Sequence, residues 1–176
     1  MSVLLISEHD NNEVKPFTFN AISAASQINE DVHVLVIGSN SDSVAKSISE
    51  CPNVKKVIHI NNSLYENYLA ENYTSAIIKL SSNYSHIVCS ANTFGKNLMP
   101  RVAALIDVSQ VSDITKVISE DTFLRPIYAG NAFATVKSND KIECVTIRPT
   151  SFDPAPSSGG SAEIQNGEPG DATELS

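Results

Sequence analysis

A segment that could bind phosphate lies near the middle of the sequence, at residues 90–97 (SANTFGKN). A Walker loop requires Gly-x4-Gly-Lys-Ser/Thr, because its glycines let the backbone approach phosphate, its lysine binds phosphate and its hydroxyl binds magnesium. Gly95 and Lys96 match that spacing, but serine replaces the first glycine and Asn97 replaces the hydroxyl residue. We therefore favour a helix N-terminus, with Gly95 at a tight turn and Asn97 near the cap, before Pro100.

The other residue types that could carry chemistry form no recognisable site. The histidines at positions 9, 33, 59 and 86 lack the i, i+4 spacing of paired metal ligands, and GxSxG, HExxH and GxGxxG do not occur. Cys89 follows an apolar run, where a small buried thiol is more common than a nucleophile. From motifs alone we expect neither a metal site nor an enzyme.

Arg101 lies one turn after Asn97 in an otherwise apolar segment. An exposed helix arginine is the simplest interpretation, since charged side chains usually lie on the solvated face. An ion pair or an interface contact is the alternative. The sequence leaves both open.

Composition narrows the possible partners and environments. The chain has 176 residues and a net charge of −8, which disfavours nucleic acid and anionic membrane surfaces as partners. Its 3 cysteines are scattered, which favours reduced thiols and a reducing compartment. No apolar run approaches the length of a membrane helix, and the chain opens directly on a strand-like segment. We expect no membrane insertion, and a bacterial cytoplasm or, alternatively, a mitochondrial matrix.

Short apolar runs alternate with segments of helical periodicity over the first two thirds of the chain. The predicted strands are 3–6, 32–37, 54–60, 86–89 and 111–118. The predicted helices are 17–28, 44–48, 68–80 and 98–106. This alternation predicts βαβ units in a doubly wound, mostly parallel α/β sheet. The turn at residues 90–97, between a strand and a helix, is where such a fold would bind a ligand.

The pattern changes after Asp121. Residues 122–128, 132–137 and 142–148 are β-type segments with no helix between them, and Asn-, Gly- and Asp-containing turns join them. We predict an antiparallel meander that extends or caps the sheet edge. The α/β domain would then span residues 1–150.

Residues 151–176 differ in composition from the rest of the chain. They carry 5 of the 20 acidic residues and no Lys or Arg, they are rich in Gly, Ser and Pro, and Phe152 and Ile164 are almost their only large apolar residues. Such a segment buries too little surface to offset its ordering entropy. It predicts a disordered acidic linker or tail.

Several long blocks, in order, resemble the alpha subunit of electron-transfer flavoproteins. They are TFGKNLMPRVAALIDVSQVSDI (93–114), DTFLRPIYAGNAFATV (121–136), RPTSFD (148–153), the opening VLLISEHDNNEVKPFTFNAISAA and SSGGSA (157–162). The resemblance covers residues 3 to about 162. It implies an adenine-nucleotide α-hydrolase-like N-terminal domain, followed in the family by a linker and a domain that carries most FAD contacts.

The resemblance also implies a function. The family forms an αβ heterodimer with one FAD, and it passes electrons from acyl-CoA and related dehydrogenases to a membrane quinone oxidoreductase. Because the likeness stops in the linker, we expect this chain to be a non-catalytic scaffold without flavin contacts of its own. In the related beta subunit, the loop corresponding to residues 90–97 helps to bind AMP, and the alpha subunit is not expected to do so.

Seven residues are expected to face the beta subunit or the flavin domain. They are Phe94, Gly95, Lys96, Asn97, Arg101, Tyr128 and Asn131. Loop geometry and helix capping within the domain would explain the same residue types equally well. A free-standing adenine-nucleotide-binding domain that uses residues 90–97 is the alternative function.

Overall fold

The computed structural model describes residues 2–173, and all bounds below refer to that range. The helices are α1 (Phe17–Ile28), α2 (Asp42–Ser49), α3 (Ala70–Ser81) and α4 (Thr93–Leu105). The strands are β1 (Val3–Ile6), β2 (Val32–Gly38), β3 (Lys56–Asn61), β4 (His86–Ser90), β5 (Gln110–Ile114), β6 (Lys116–Ser119), β7 (Thr122–Ile127), β8 (Ala132–Lys137), β9 (Glu143–Ile147) and β10 (Glu163–Asn166).

The main sheet has seven parallel strands in the order β10-β3-β2-β1-β4-β9-β5. Strands β1 and β2 are apolar runs buried along nearly their whole length, as two-sided burial between helices requires. The core lies on both faces, and the hydrophobic side chains of α1 and α2 pack on one face while those of α3 and α4 pack on the other. The doubly wound α/β fold predicted from the sequence is confirmed.

Strand β9 corrects the predicted meander. Residues 142–148 were expected to be its third antiparallel strand, whereas Glu143–Ile147 pairs in parallel with both β4 and β5. All five β9 residues are buried, while β8 alternates between half-buried and exposed positions. Burial on both faces places β9 inside the main sheet, because only a strand with one solvated face suits an exposed meander.

A second sheet, which we call the small sheet, contains β6, β7 and β8 in antiparallel order. The predicted strand 111–118 is divided between the two sheets, and it changes sheet at Thr115 after Asp113 adopts a φ of 61°. Arg148 donates from Nε to the Asp113 carboxylate at 3.1 Å, which ties the bend to the end of β9. Phe123 of β7 is fully buried in the main core and anchors the small sheet.

The segment after residue 150 is ordered over much of its described length, contrary to the expected disordered linker. Strand β10 pairs in parallel with β3 and extends the main sheet. The amides of Gly160, Ala162 and Gly167 donate to the carbonyls of Glu50, Ser49 and His59 at 2.7–2.9 Å. These backbone hydrogen bonds order a segment that has few apolar side chains. The predicted disorder of residues 174–176 lies outside the described residues.

Helix α4 begins five residues before its predicted start at Leu98. Asn92 is the N-cap, so Asn97 lies inside the helix and Gly95 is in its first turn. Pro100 is tolerated inside α4 because it is exposed, and water can satisfy the carbonyl that loses its partner. No helix among residues 2–173 is long and apolar enough to cross a membrane.

Candidate functional site

A cavity of about 420 Å³ opens at the carboxyl ends of β1 and β4. The strand order reverses between these two strands, and such a switch point is the usual ligand site of an open parallel sheet. We call it the switch-point cavity. Its principal lining residues are Glu8, His9, Tyr68, Tyr73, Phe94 and Asn97.

The N-terminus of α4 forms one side of this cavity, and Asn92 organises it. The Asn92 side-chain oxygen accepts a hydrogen bond from the Gly95 amide at 3.1 Å, and its Nδ2 donates to the Glu8 carboxylate. Glu8 and Asn92 are 84 residues apart in sequence, and each lies two residues after the end of its strand, β1 or β4. The parallel pairing of the two strands therefore brings them together.

Gly95 is required by close packing of α4 on β4. A Cβ atom at Gly95 would lie 2.0 Å from the Ser90 carbonyl oxygen and 2.6 Å from Cys89 Sγ. The glycine thus has the role of a helix–strand contact, as the third glycine of a dinucleotide fingerprint does. Its position in the sequence resembles that of a Walker glycine, but its hydrogen atom faces the strand.

The electrostatics of the switch-point cavity oppose phosphate binding. The Glu8 carboxylate accepts a hydrogen bond from the residue that caps α4, so a negative charge already lies at this helix N-terminus. The Lys96 side chain is exposed, and its ammonium group forms no hydrogen bond or ion pair with any described residue. A phosphate in this cavity would meet a carboxylate, which supports the helix-terminus interpretation of residues 90–97.

Aromatic rings form the opposite wall of the cavity. Tyr68 lies 4.9 Å, between ring centroids, from both Tyr73 and Phe94. The Tyr73 hydroxyl donates to the Ile37 carbonyl at 2.6 Å, which fixes that ring. Burial raises the pKa of Tyr68 to about 12 and raises that of Tyr73 further, so both phenols are neutral at physiological pH.

His9 lines the cavity as a neutral imidazole. Burial lowers the pKa of His9 to about 4, against the weaker opposing effect of the Ile37 carbonyl. Its Nδ1 accepts from the Asn11 amide at 3.1 Å, and its Nε2 is buried with no hydrogen-bond partner in the described chain. A neutral, shielded ring of this kind contributes shape rather than charge.

The five α4 residues expected from the sequence occupy different environments. Phe94 is half-buried in the cavity wall and Gly95 is buried, whereas Lys96 and Asn97 are exposed. The Arg101 guanidinium lies 3.3 Å from the Glu71 carboxylate of α3, so the ion-pair alternative for this residue holds within the domain.

Tyr128 and Asn131 lie on the connection between β7 and β8, and no described hydrogen bond, ion pair or ring contact joins them to the α4 residues. Tyr128, Ala129 and Gly130 all have positive φ, and the Asn131 side chain donates to the Tyr128 carbonyl at 2.9 Å. The asparagine therefore has a structural task in the turn. The Tyr128 side chain is 80% exposed.

Sequence reasoning missed Glu8, Tyr68 and Tyr73 as lining residues of this cavity. Glu8 follows the first buried strand by two residues, and the switch-point rule could have identified it. Tyr68 and Tyr73 belong to the α3 region, whose distance from β1 becomes short only in the folded chain. No group of three or more His, Cys, Asp or Glu side chains within residues 2–173 has an arrangement that could hold a metal ion.

A family model described as the electron transfer flavoprotein domain matches residues 3–172. An electron transfer flavoprotein subunit alpha of Pseudomonas aeruginosa is 46% identical over 165 residues, which are 94% of this chain and 53% of that protein. A mitochondrial electron transfer flavoprotein subunit alpha of Dictyostelium discoideum is 50% identical over 169 residues, which are 92% of this chain and 48% of that protein. A probable mitochondrial electron transfer flavoprotein subunit alpha of Caenorhabditis elegans is 40% identical over 178 aligned residues, which cover 99% of this chain and 53% of that protein. The chain thus spans about half the length of the curated relatives that it matches.

Proposed function

Because the chain belongs to the electron transfer flavoprotein family, we propose that it acts as the N-terminal interaction domain of an alpha subunit. In this proposal it pairs with a beta subunit, and the heterodimer with its FAD carries electrons from acyl-CoA and related dehydrogenases to a membrane quinone oxidoreductase. The domain itself is not catalytic. It works in a bacterial cytoplasm or, alternatively, in a mitochondrial matrix.

Exposed apolar side chains on the outward face of the small sheet are the observation that carries the pairing with a beta subunit. Phe133 and Ile118 are 59% and 52% exposed, and Tyr128 at the adjoining turn is 80% exposed. The core-facing side of the same sheet holds Phe123 and Val136, which pair across β7 and β8. Apolar residues on both faces, beside an outer edge of β8 that no described strand covers, indicate a surface buried by another protein.

The residues at the switch point do not fit the pyrophosphate of FAD. Glu8 places a carboxylate at the N-terminus of α4, and Gly95 is packed against β4 rather than open to a ligand. We therefore assign the flavin contacts to another part of a longer alpha chain, with residues 1–150 as the α/β domain and 151–176 as its connection, of which strand β10 joins the sheet of the domain. The same two features disfavour the alternative function of a free-standing adenine-nucleotide-binding domain.

The seven expected contact residues divide between two surfaces in this proposal. Tyr128 and Asn131 belong to the surface for the beta subunit, together with Phe133. The α4 group shapes a surface for the flavin-bearing part of the alpha chain, and its members are Phe94, Gly95, Lys96, Asn97 and Arg101. Gly95 does so from beneath, because its packing on β4 sets the position of the first turn of α4.

Calorimetric titration of the chain with an electron-transfer flavoprotein beta subunit tests the assignment. Replacing Phe133 with serine should weaken binding by about tenfold or more, because truncation of a buried apolar anchor typically costs over 1 kcal/mol. Leu105→Ser is the matched control, since Leu105 is 61% exposed on α4, away from the small sheet. Equal affinities for wild type and Phe133→Ser, or an equal loss in the control, would refute the assignment.

A further inference from the structure

We propose that the switch-point cavity is a binding site for a small organic cation, an ammonium group carried on a compact apolar or aromatic body. The site is separate from the small sheet, and the proposal does not rest on the pairing with a beta subunit. Its lining shares Phe94 and Asn97 with the surface assigned above to the flavin-bearing part of the alpha chain, so that part and the cation would compete for this face. Three features of the cavity carry the proposal: a carboxylate that forms no direct ion pair, a wall of aromatic rings and the neutrality of His9 and Tyr68.

Glu8 supplies the negative charge. One of its carboxylate oxygens accepts from Asn92 Nδ2, and the other forms no hydrogen bond with any described residue. No described Lys, Arg or His forms an ion pair with Glu8, whereas the nearby Asp10 is paired with Lys15. The carboxylate is therefore held in place with one oxygen free to accept from a donor in the cavity.

The aromatic wall suits the same kind of ligand. Tyr68, Tyr73 and Phe94 form a contiguous group, with ring centroids 4.9–6.1 Å apart and inclined to one another by 45–80°. All three residues line the cavity, and the face of an aromatic ring attracts a cation. The same rings also provide hydrophobic contacts for the apolar part of the ligand.

No positive side chain competes for the carboxylate inside the cavity. His9 is neutral because burial holds its pKa at about 4, and the Tyr68 phenol is neutral because burial raises its pKa to about 12. The partial positive charge at the N-terminus of α4 is smaller than the full charge of Glu8. The cavity thus has the opposite charge preference to that of a phosphate site at the same place in the fold.

The volume of the cavity sets the size of the ligand. At about 420 Å³ it lies within the range of small-molecule sites and has room for a single-ring amine. A long polyamine or a peptide would extend beyond it. The proposed class is therefore a monocation with one aromatic ring or an aliphatic group of similar size.

Calorimetric titration of the full chain with three probes tests this site. The probes are phenethylammonium, its neutral isostere 2-phenylethanol, and AMP. Phenethylammonium should bind at least about tenfold more tightly than 2-phenylethanol, because charge is the main difference between them, and AMP should bind most weakly. NMR titration with the same probes locates the ligand. The backbone amide resonances of Glu8 and Phe94 should shift on titration, with the same order of affinities.

Variants separate the contribution of Glu8 from a general effect of charge. Glu8→Gln retains an acceptor for Asn92 and should abolish most of the preference for the ammonium over the alcohol. Glu13→Gln is the matched control, because Glu13 is an exposed carboxylate in the same loop, outside the cavity lining, and it should leave the preference intact. Tighter binding of AMP than of the amine, no saturable binding at millimolar amine, or an unchanged preference in Glu8→Gln would overturn the proposal.

Discussion

Gly95 is the residue at which sequence pattern and structure differ most instructively. In the sequence it occupies a Walker position, yet its Cα faces Ser90 and Cys89 of β4 at distances that leave no room for a methyl group. The asparagine at position 92, rather than the one at position 97, caps the helix. The role of Gly95 follows from how closely α4 approaches β4, which no local pattern encodes.

Gly95→Ala should destabilise the domain by about 1–3 kcal/mol, since a methyl group there can be accommodated only by moving α4 away from β4. Urea unfolding followed by circular dichroism measures this. Lys96→Ala, at the neighbouring exposed position, should change the free energy of unfolding by less than about 0.5 kcal/mol. If the two variants were equally stable, the close-packing role of Gly95 would be wrong.

Glu143 is a buried carboxylate that makes stability depend on pH. Only 7% of the residue is exposed, its Oε2 has no hydrogen-bond partner in the described chain, and the nearest basic atom, His86 Nε2, is 3.9 Å away. Burial, followed by the charges of Asp121, Asp140 and Glu120, raises the pKa of Glu143 to about 7 from a reference of 4.5, and Lys137 opposes the shift weakly.

The sign of the Glu143 effect follows from its raised pKa. Between pH 4.5 and 7 the folded chain holds a proton at this site that the unfolded chain has released, so this site's contribution to stability falls as pH rises. The free energy of unfolding of Glu143→Gln should therefore rise relative to that of wild type as the pH increases through that window. Above pH 7 the difference should reach up to about 3 kcal/mol. His86, whose pKa burial lowers, lies 3.9 Å from this carboxylate, so the pH dependence of the difference reports the coupled pair.

Urea unfolding of both proteins at several pH values measures that difference. Glu30→Gln, a change of an exposed carboxylate, should give a small difference that is nearly constant with pH. A Glu143→Gln difference that does not grow between pH 4.5 and 7 would show that the buried carboxylate is not protonated in the folded chain.

At the scale of elements, the predictable features were those encoded by local periodicity. Strand β1 is an unbroken apolar run, β2 is apolar apart from His33, and α1 keeps the predicted bounds of residues 17–28. Strand β9 could not be assigned to its sheet, because an apolar run predicts a strand without naming its neighbours. Strand β10 was missed because backbone hydrogen bonds to its neighbour order it, and its own side chains are all exposed.

Amide hydrogen exchange measured by NMR tests the order of the segment after residue 150. The amides of Gly160, Ala162 and Gly167 should exchange slowly, because each donates to a carbonyl of the α/β domain. Ser157 and Ser158 are the internal control, since they are exposed and their amides form no described hydrogen bond. Equally fast exchange at all five positions would mean that the segment is disordered, as its composition suggested.

At the scale of the whole molecule, two surfaces on different elements account for the proposals. The small sheet presents an apolar face and an open strand edge, while the switch-point cavity presents a carboxylate among aromatic rings. The sequence indicated Tyr128 and Asn131 only through the family resemblance. It could not indicate Phe133, because an aromatic residue in an alternating strand fits a buried face as well as an exposed one.

The central claim is that the small sheet binds a beta subunit, and hydrogen–deuterium exchange of the chain with and without that subunit tests it most directly. We expect slower exchange on binding, concentrated in residues 116–137 and greatest in β8, whose outer edge gains a partner. The exchange rates of amides in α2, a helix that packs on the main sheet, should be unchanged by binding. A stable complex without added protection in residues 116–137, or no complex at all, would contradict the account.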